Sequence, residues 1–344
     1  MHVVLSAEDC DQFLLEELRR SGPGETHEAK PGGLVFTELN LQPEAPPTFV
    51  FARQFLPNVE ERQADSVSQW VGRVVGPIAL RLPEGQPWLL HVVSAYGSGP
   101  AGRNRCRLIR EGVREWLQRK RRRLLRSLQT EHSAFSPAHS LVQVLLTAPD
   151  HGFISVAPAP LPFMLRRLVS PFPKGEIPIA SDKAAPSRAF AKLVEAELRL
   201  GRCIGPGETC VDLGASPGSW SYVALHRGAR VIAVDRAPLR ADLMRHPSLV
   251  FRKGDAFGFK PEAPVDWLLC DVIAAPERSI GLLIDWLRER RTRRFIVTIK
   301  FQGREDYAKL EQLKHALPRL CGEHFLTRLC ANKNEACAFG EGEG

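Results

Sequence analysis

The sequence predicts an α/β protein in two parts, an α+β region followed by a Rossmann-like, doubly wound and mostly parallel sheet. Strands alternate with helices over residues 208–317, which is typical of a parallel sheet covered by helices. The first half instead groups short strands around one or two helices. Seven prolines fall between residues 157 and 186, a density that favours an extended linker. The predicted parts are therefore residues 1–160, a proline-rich linker at 161–184, and residues 185–344.

Short apolar runs bounded by turn residues predict the strands of the first half. These strands are predicted at residues 2–7, 33–39, 48–55, 87–96, 140–148 and 151–157. A helix is predicted over residues 7–22 and ends near Gly22. No glycine loop of the nucleotide-binding kind occurs in this half, so we expect the cofactor chemistry to lie in the second half.

The positive charge of the chain is concentrated in one stretch. The whole chain carries +8, whereas residues 101–130 contain ten Arg and one Lys against two Glu. Apolar residues at 106, 109, 113, 116 and 117 have helical spacing, which predicts an amphipathic helix with basic outer faces. Such a helix favours RNA as a partner, and the alternative is a solvated face that only aids solubility. The densest part of the stretch is Arg119, Lys120, Arg121, Arg122 and Arg123.

Other features exclude several classes of protein. No apolar run approaches the roughly 20 residues of a membrane span, so we expect no membrane partner. Residues 1–20 lack the basic start and apolar core of a secretory signal. The eight cysteines form no C-x-x-C pair, which predicts reduced thiols in a cytoplasmic protein and no metal site.

Polar residues stand at the ends of the predicted strands in the second half. Strands are predicted at 208–214, 230–235, 249–255, 265–271 and 294–300, and helices at 187–197, 218–228, 278–291 and 304–317. Ligands of doubly wound sheets bind beyond the carboxyl ends of the strands. The polar residues at or just past those ends are Asp212, Asp235, Asp255, Asp271 and Lys300. We therefore expect one site at that edge.

The turn after the first of these strands indicates the cofactor. "DLGASPGSW", residues 212–220, contains neither the G-x-G-x-x-G of dinucleotide sites nor the Gly-Lys-Ser/Thr of a phosphate loop. A small-residue turn with an acid two residues before its first glycine suits a cofactor with a cationic amino-acid end, S-adenosylmethionine. The predicted cofactor residues of this turn are Asp212, Gly214, Ala215, Ser216, Pro217, Gly218 and Trp220. Asp235 is expected at the ribose hydroxyls and Asp255 at the adenine amino group.

The same turn resembles a known motif. "VDLGASPGSWS" is similar to the Asp-Leu-Gly-Ala-x-Pro-Gly-Gly-Trp-Ser/Thr motif of the FtsJ-like 2′-O-ribose RNA methyltransferases, and departs from it at Ser219, where the family usually has a second glycine. "APSRAFAKLVEA", "FARQF", "DAFGFKP" and "LLCDVIAAP" are similar to segments of the RlmM family. That family methylates a cytidine ribose of large-subunit ribosomal RNA. The resemblance implies a class I methyltransferase domain, 23S rRNA as partner and an N-terminal THUMP-type RNA-binding region.

The resemblance also implies a Lys-Asp-Lys-Glu tetrad. The matching residues are Lys192, Asp271, Lys300 and Glu335. A ribose hydroxyl reacts more easily when a positioned base takes its proton. Lys300, which directly follows an apolar strand, is the expected base, with Asp271 orienting it and Lys192 adding positive charge and contacting RNA. Glu335 is expected to anchor the two lysines.

Other functions fit the sequence less well. Amine methylases generally show Asp/Asn-Pro-Pro-aromatic where this chain has "CDVIAAP", and Cys270, the nearest thiol for cytosine-C5 chemistry, lies inside an apolar strand. Two alternatives stay open. One is an RNA-binding protein that keeps the fold without catalysis, and the other is a nicotinamide-dependent oxidoreductase on a similar sheet.

Overall fold

A computed structural model describes residues 1–22, 27–39, 47–95, 100–129, 139–159 and 167–343. The chain divides into two compact units, Met1–Ile177 and Pro178–Gly344. The division falls within the predicted linker 161–184, of which residues 161–166 lie outside the described residues. The middle of that segment packs into the first unit, where the buried Gln54 amide donates hydrogen bonds to the carbonyls of Ser170 and Phe172.

The first unit is α+β and contains two four-stranded sheets. The first sheet has the order β2-β3-β1-β4 and is antiparallel, with strands β1 His2–Ser6, β2 His27–Lys30, β3 Leu34–Thr37 and β4 Ala52–Leu56. The second has the order β5-β8-β7-β6, with strands β5 Glu60–Gln63, β6 Trp88–Ser94, β7 Ser140–Leu146 and β8 His151–Ala157. Strands β6 and β7 are parallel, and the other pairs of this sheet are antiparallel. The described helices are α1 Asp11–Ser21, α2 Val67–Arg81, α3 Pro100–Lys120 and α4 Arg122–Ser127.

Three elements of this unit were missed in the sequence. Strands β2 and β5 read "HEAK" and "EERQ", and their edge positions leave alternate side chains in solvent, so no apolar alternation marks them. Helix α2 contains Pro77, which hid a helical pattern in which Trp70, Val74 and Ile78 are buried at a spacing of four. Tyr96, the last residue of the strand predicted at 87–96, lies outside the described residues.

The basic stretch forms two helices rather than one. The backbone leaves helical geometry at Arg121 (φ −146°, ψ 59°), between α3 and α4. Most of the apolar side chains expected to dock are buried, among them Ile109, Val113 and Leu117 on α3 and Leu124 on α4, and Trp116 is partly buried. The helices therefore pack through their apolar side chains against the second sheet, and their basic faces stay exposed.

The second unit is the predicted doubly wound sheet. Seven strands follow the order β11-β10-β9-β12-β13-β15-β14. Their bounds are β9 Thr209–Leu213, β10 Arg230–Asp235, β11 Leu249–Lys253, β12 Val265–Cys270, β13 Thr292–Lys300, β14 Cys321–Thr327 and β15 Glu335–Gly342. Strands β9 to β13 are parallel, and the chain turns from β9 to opposite sides of the sheet, which opens a crevice at the carboxyl ends of β9 and β12. The helices are α5 Phe190–Leu200, α6 Ser219–His226, α7 Ala241–Met244, α8 Pro276–Arg288 and α9 Leu310–Leu320.

The last strand closes the sheet in an order that the sequence did not define. Strand β15 runs antiparallel between β13 and β14 and pairs with β13 over seven residues. This register sets Glu335 directly opposite Lys300. Across the described ranges of the chain, no helix has both the length and the apolarity that a bilayer crossing requires.

Candidate active site

The turn between β9 and α6 requires its two glycines. Gly214 and Gly218 have φ angles of +74° and +109°, a region that side chains disfavour. A Cβ at residue 214 would lie 2.9 Å from Cβ of Val272, and one at residue 218 would collide with Leu243. The two glycines therefore let the chain turn tightly against the side chains of Val272 and Leu243.

Asp212 holds the start of helix α6. The N-cap residue Gly218 has no side chain, and Asp212 Oδ2 instead accepts hydrogen bonds from the Ser221 amide (3.0 Å) and the Ser221 hydroxyl (2.7 Å). Burial raises the pKa of Asp212 to about 7, and the two bonds from Ser221 only partly oppose that effect. This acid is thus both a lining residue of the cleft and the cap of its helix.

Asp235, at the end of β10, shapes the other side of the turn. Its Oδ2 accepts a hydrogen bond from the Ser216 amide (3.0 Å) and its Oδ1 one from the Ala237 amide (2.9 Å). Each carboxylate oxygen can accept more than one bond. The residue can therefore also receive the two hydroxyl protons of a ribose.

A cleft of about 360 Å³ opens at these strand ends. Nine predicted site residues line it: Asp212, Gly214, Ala215, Ser216, Pro217, Trp220, Asp235, Asp271 and Lys300. Five further lining residues were missed in the sequence: Ser187, Ala189, Ser219, Val272 and Ile273. Ser187 and Ala189 come from the segment before α5, and no local pattern ties that segment to the turn.

Two predicted cofactor residues are absent from the lining that the structure describes, Gly218 and Asp255. Gly218 packs against Leu239 and Leu243. Asp255 is half-exposed, caps a short 3-10 turn at Phe257, and has the guanidinium groups of Arg236 and Arg278 at 3.7 and 3.6 Å. Its expected contact with the adenine stays a prediction.

The departure from the family motif at Ser219 has a structural explanation. The Ser219 side chain is buried, and its Oγ lies 2.7 Å from Oγ of Ser187. The next residue, Trp220, donates its indole N–H to the carbonyl of Ala189 at 2.8 Å. Both contacts attach the segment before α5 to the start of α6, so the serine fastens one wall of the cleft.

The four residues of the expected tetrad meet in one cluster. Lys192 Nζ lies 2.8 Å from Asp271 Oδ1 and 3.0 Å from Glu335 Oε1. Lys300 Nζ lies 3.1 Å from the same Asp271 oxygen and donates a hydrogen bond to the Asp271 carbonyl at 2.7 Å. Asp271 and Lys300 reach the cleft, whereas Lys192 and Glu335 lie behind them and are buried. Two lysines thus converge on one carboxylate at the edge of the cleft.

The surroundings of Lys192 keep its ammonium group charged. Burial by itself lowers the pKa of Lys192, but the carboxylates of Asp271 and Glu335 together raise it by more, so that it lies above its ordinary value. Lys192 therefore stays a cation at neutral pH and does not act as a base.

Cys270 does not have the features of a nucleophile. Its side chain is fully buried, and burial raises the pKa of the thiol to about 12. Nucleophilic cysteines need the opposite shift. The described residues also contain no group of three His, Cys, Asp or Glu side chains arranged for a metal ion.

The donor and acceptor set fits S-adenosylmethionine. Gly214 lines the cleft without a side chain, and a Cβ there would press against Val272, another residue of the lining. Asp212 presents a carboxyl group, whose ionised form the α-ammonium group would favour, and Asp235 presents acceptors for the ribose hydroxyls. The cleft offers no glycine or lysine arrangement for a pyrophosphate among its lining residues, so a dinucleotide fits less well.

Comparison with known proteins identifies the class. Residues 185–315 match the family model described as FtsJ-like methyltransferase. The second unit is therefore an FtsJ-like methyltransferase domain, a class whose cofactor is S-adenosylmethionine.

Relatives of known name narrow the family. The chain is 31% identical over 275 residues to "Ribosomal RNA large subunit methyltransferase M" of Halorhodospira halophila, covering 79% of this chain and 74% of that protein. It is 34% identical over 204 residues to the protein of the same name from Laribacter hongkongensis, covering 58% of this chain and 52% of that protein. The chain belongs to the ribosomal RNA large subunit methyltransferase M family. The aligned part spans only about half the length of the Laribacter relative and 42% of the Ectopseudomonas mendocina relative.

Proposed function

We propose that this chain transfers the methyl group of S-adenosylmethionine to a ribose 2′-hydroxyl of RNA, at a cytidine of 23S rRNA. The observation that carries the proposal is the convergence of Lys192 and Lys300 on Asp271 Oδ1 at the edge of the cleft. A methyl acceptor that must lose a proton, such as a ribose hydroxyl, needs a general base at this point. The exposed amine of a nucleobase does not. The names of the relatives supply the class of RNA.

Lys300 is the residue placed to take the proton. The residue lines the cleft, and its Nζ donates a hydrogen bond to the Asp271 carbonyl. In its neutral form the amine accepts the proton of the 2′-hydroxyl as the new O–C bond forms. Lys192 pairs with the same Asp271 oxygen and so helps to hold the carboxylate beside Lys300. When bound, S-adenosylmethionine supplies a methyl group already activated on a sulfonium, whose sulfur keeps the electron pair of the broken bond. The protein has then only to align, desolvate and accept one proton.

Substitution of Lys300 tests this proposal. Lys300→Ala should lower single-turnover transfer to 23S rRNA fragments by about 10²- to 10⁴-fold, the usual contribution of a positioned base. Lys300→Arg should be almost as inactive, because guanidinium keeps its proton. Titration calorimetry should show nearly unchanged cofactor affinity in both variants. Lys260→Ala, an exposed lysine of the same unit, is the matched control.

Two results would contradict the proposal in different ways. An arginine variant with the wild-type rate would show that residue 300 supplies charge only. A wild-type protein that binds the cofactor but leaves every ribose unmethylated would favour the alternative of an RNA-binding protein without catalysis. The nicotinamide alternative has no support from the family match, and titration with both cofactors separates it.

We also assign the RNA-contacting surface to the basic faces of α3 and α4. Arg119, Lys120, Arg121, Arg122 and Arg123 are all exposed. Arg119 and Arg123 have only exposed ion pairs, at 3.8 Å to Glu115 and 3.3 Å to Glu84, which are weak in water. These side chains are therefore available to phosphates, as a THUMP-type RNA-binding region requires. Since the proposed substrate is ribosomal RNA, we place the protein in the cytoplasm.

A further inference from the structure

A neutral side chain shares the carboxylate oxygen on which the two lysines meet. Asp271 Oδ1 lies 2.8 Å from Lys192 Nζ and 3.1 Å from Lys300 Nζ, and it accepts a hydrogen bond from Thr298 Oγ1 at 2.7 Å. The threonine contact is the shortest of the three. Thr298 does not line the cleft, and the tetrad does not include it.

The position of Thr298 calls for an apolar residue. The side chain is fully buried in β13, between Val297 and Ile299, and is followed by Lys300 on its own face of the strand. Valine has nearly the same shape and would bury no polar atom. A buried hydroxyl costs free energy unless it is hydrogen-bonded, and the well-formed bond that this hydroxyl makes is the one to Asp271, since the Cys270 carbonyl lies 3.5 Å away.

The geometry of the neighbouring strands explains why this hydroxyl controls Asp271. Val297 pairs with Cys270 in the parallel β12–β13 ladder, so that Thr298 stands beside Asp271, the first residue after β12. The final torsion of an aspartate side chain is broad, and both lysines reach it through long flexible chains. A threonine in a strand has a restricted χ1 angle. Thr298 is therefore the one rigid donor of the three.

We propose that Thr298 is a positioning residue for methyl transfer, which fixes the rotation of the Asp271 carboxylate so that a single oxygen receives both Lys192 and Lys300. This inference rests on the proposed function for its effect on rate. The orientation of the Asp271 carboxylate by Thr298 does not depend on the proposed function.

The test compares three variants of the full chain. Thr298→Val removes the hydroxyl and keeps the shape, Thr298→Ser keeps the hydroxyl, and Thr292→Val is the matched control. Thr292 is a buried threonine at the other end of β13, and its hydroxyl donates to the Arg294 carbonyl at 2.6 Å. The measurements are single-turnover transfer to 23S rRNA fragments between pH 6 and 10 and the affinity for S-adenosylmethionine.

Thr298→Val should lower the transfer rate by about 10- to 100-fold, the scale of a misplaced catalytic group. Cofactor affinity should stay the same. The pH profile of the rate should also differ from that of the wild type, because the Asp271 carboxylate beside both lysines changes its orientation. Thr298→Ser should recover most of the rate, and Thr292→Val should match the wild type.

A Thr298→Val protein with the wild-type rate and pH profile would overturn the inference. A loss that Thr292→Val shares, or that Thr298→Ser does not restore, would also overturn it, because either indicates a general packing effect. If the wild type itself transfers no methyl group to RNA, the proposed function fails. Crystal structures of the wild type and Thr298→Val then decide the inference: it requires the Asp271 carboxylate to rotate away from one lysine, and an unchanged carboxylate refutes it.

Discussion

Replacing Lys192 with methionine should destabilise the second unit, because it removes the cation that Asp271 and Glu335 share. Methionine keeps much of the side-chain length but cannot pair with Asp271 and Glu335, which lie 2.8 and 3.0 Å from Lys192 Nζ. The Glu335 side chain is 7% exposed and has no other ion pair with the described residues. Removing one partner of a buried pair costs about 3–5 kcal/mol. Asp271 retains Lys300 at 3.1 Å, so we expect the lower end, about 3 kcal/mol.

The cost should depend on pH in a defined direction. The pKa of Lys192 is raised above its ordinary 10.5, so its stabilising effect is complete at neutral pH and is lost only as the pH rises through the raised value. In the variant, acid relieves the unpaired Glu335 by protonating it. The difference between wild type and Lys192→Met should therefore be largest near neutral pH and shrink as the pH falls.

Native-state hydrogen exchange on peptides of β13 and β15 measures this effect, because it reports the opening free energy of the second unit separately from the first. Lys260→Met, at an exposed position, controls for the loss of a charge and should leave protection unchanged. Wild-type protection of these strands in Lys192→Met at pH 7 would refute the reasoning, since it would mean that Asp271 and Glu335 need no shared cation.

Three further predictions concern the cofactor, the pH response and the RNA. Asp235→Ala should weaken S-adenosylmethionine binding about tenfold or more, since a hydrogen bond to a charged group contributes about 1.5–3 kcal/mol; unchanged affinity by calorimetry would mean that the adenosine lies elsewhere. Because the pKa of Asp212 is raised, the wild type should lose stability relative to Asp212→Asn as the pH rises from about 3.8 to about 7. The same hydrogen-exchange experiment measures this difference, and parallel curves of stability against pH for the two proteins would contradict the raised pKa. Serine at Arg121, Arg122 and Arg123 should weaken RNA binding and lower its salt slope by somewhat less than one per lost phosphate contact, without changing cofactor affinity; an unaltered slope would show that α3 and α4 are only a solvated face.

Local patterns in the sequence were enough to predict the elements that carry the site. The alternation of strands and helices predicted the doubly wound sheet, and the seven-stranded order β11-β10-β9-β12-β13-β15-β14 confirms it. Asp235 and Lys300 end their strands as expected, because the side chain that follows an apolar run is visible without knowledge of its neighbours. The small-residue turn could be predicted for the same reason, since its glycines are required by the backbone itself.

Polar edge strands could not be predicted in this way. Strands β2 and β5 are stabilised by backbone pairing with β3 and β8, and their side chains carry no apolar signal. In the same way, the position of Ser187 and Ala189 in the wall of the cleft depends on hydrogen bonds to Ser219 and Trp220, which are about 30 residues away. Contacts of this kind have no signature in a window of sequence.

The sequence alone determined most of the elements, the small-residue turn and the residue types of the site, because these follow from periodicity and from backbone constraints within a few neighbours. The tertiary structure decided which of those residues meet. Lys192 and Glu335 are 143 positions apart, and they meet because β15 inserts antiparallel beside β13 and sets Glu335 opposite Lys300. The bond from Thr298 to Asp271 likewise depends on the register of β13 against β12. Strand order and register are set by the packing of the whole sheet, so the charge balance of the site belongs to the fold and not to any segment of the chain.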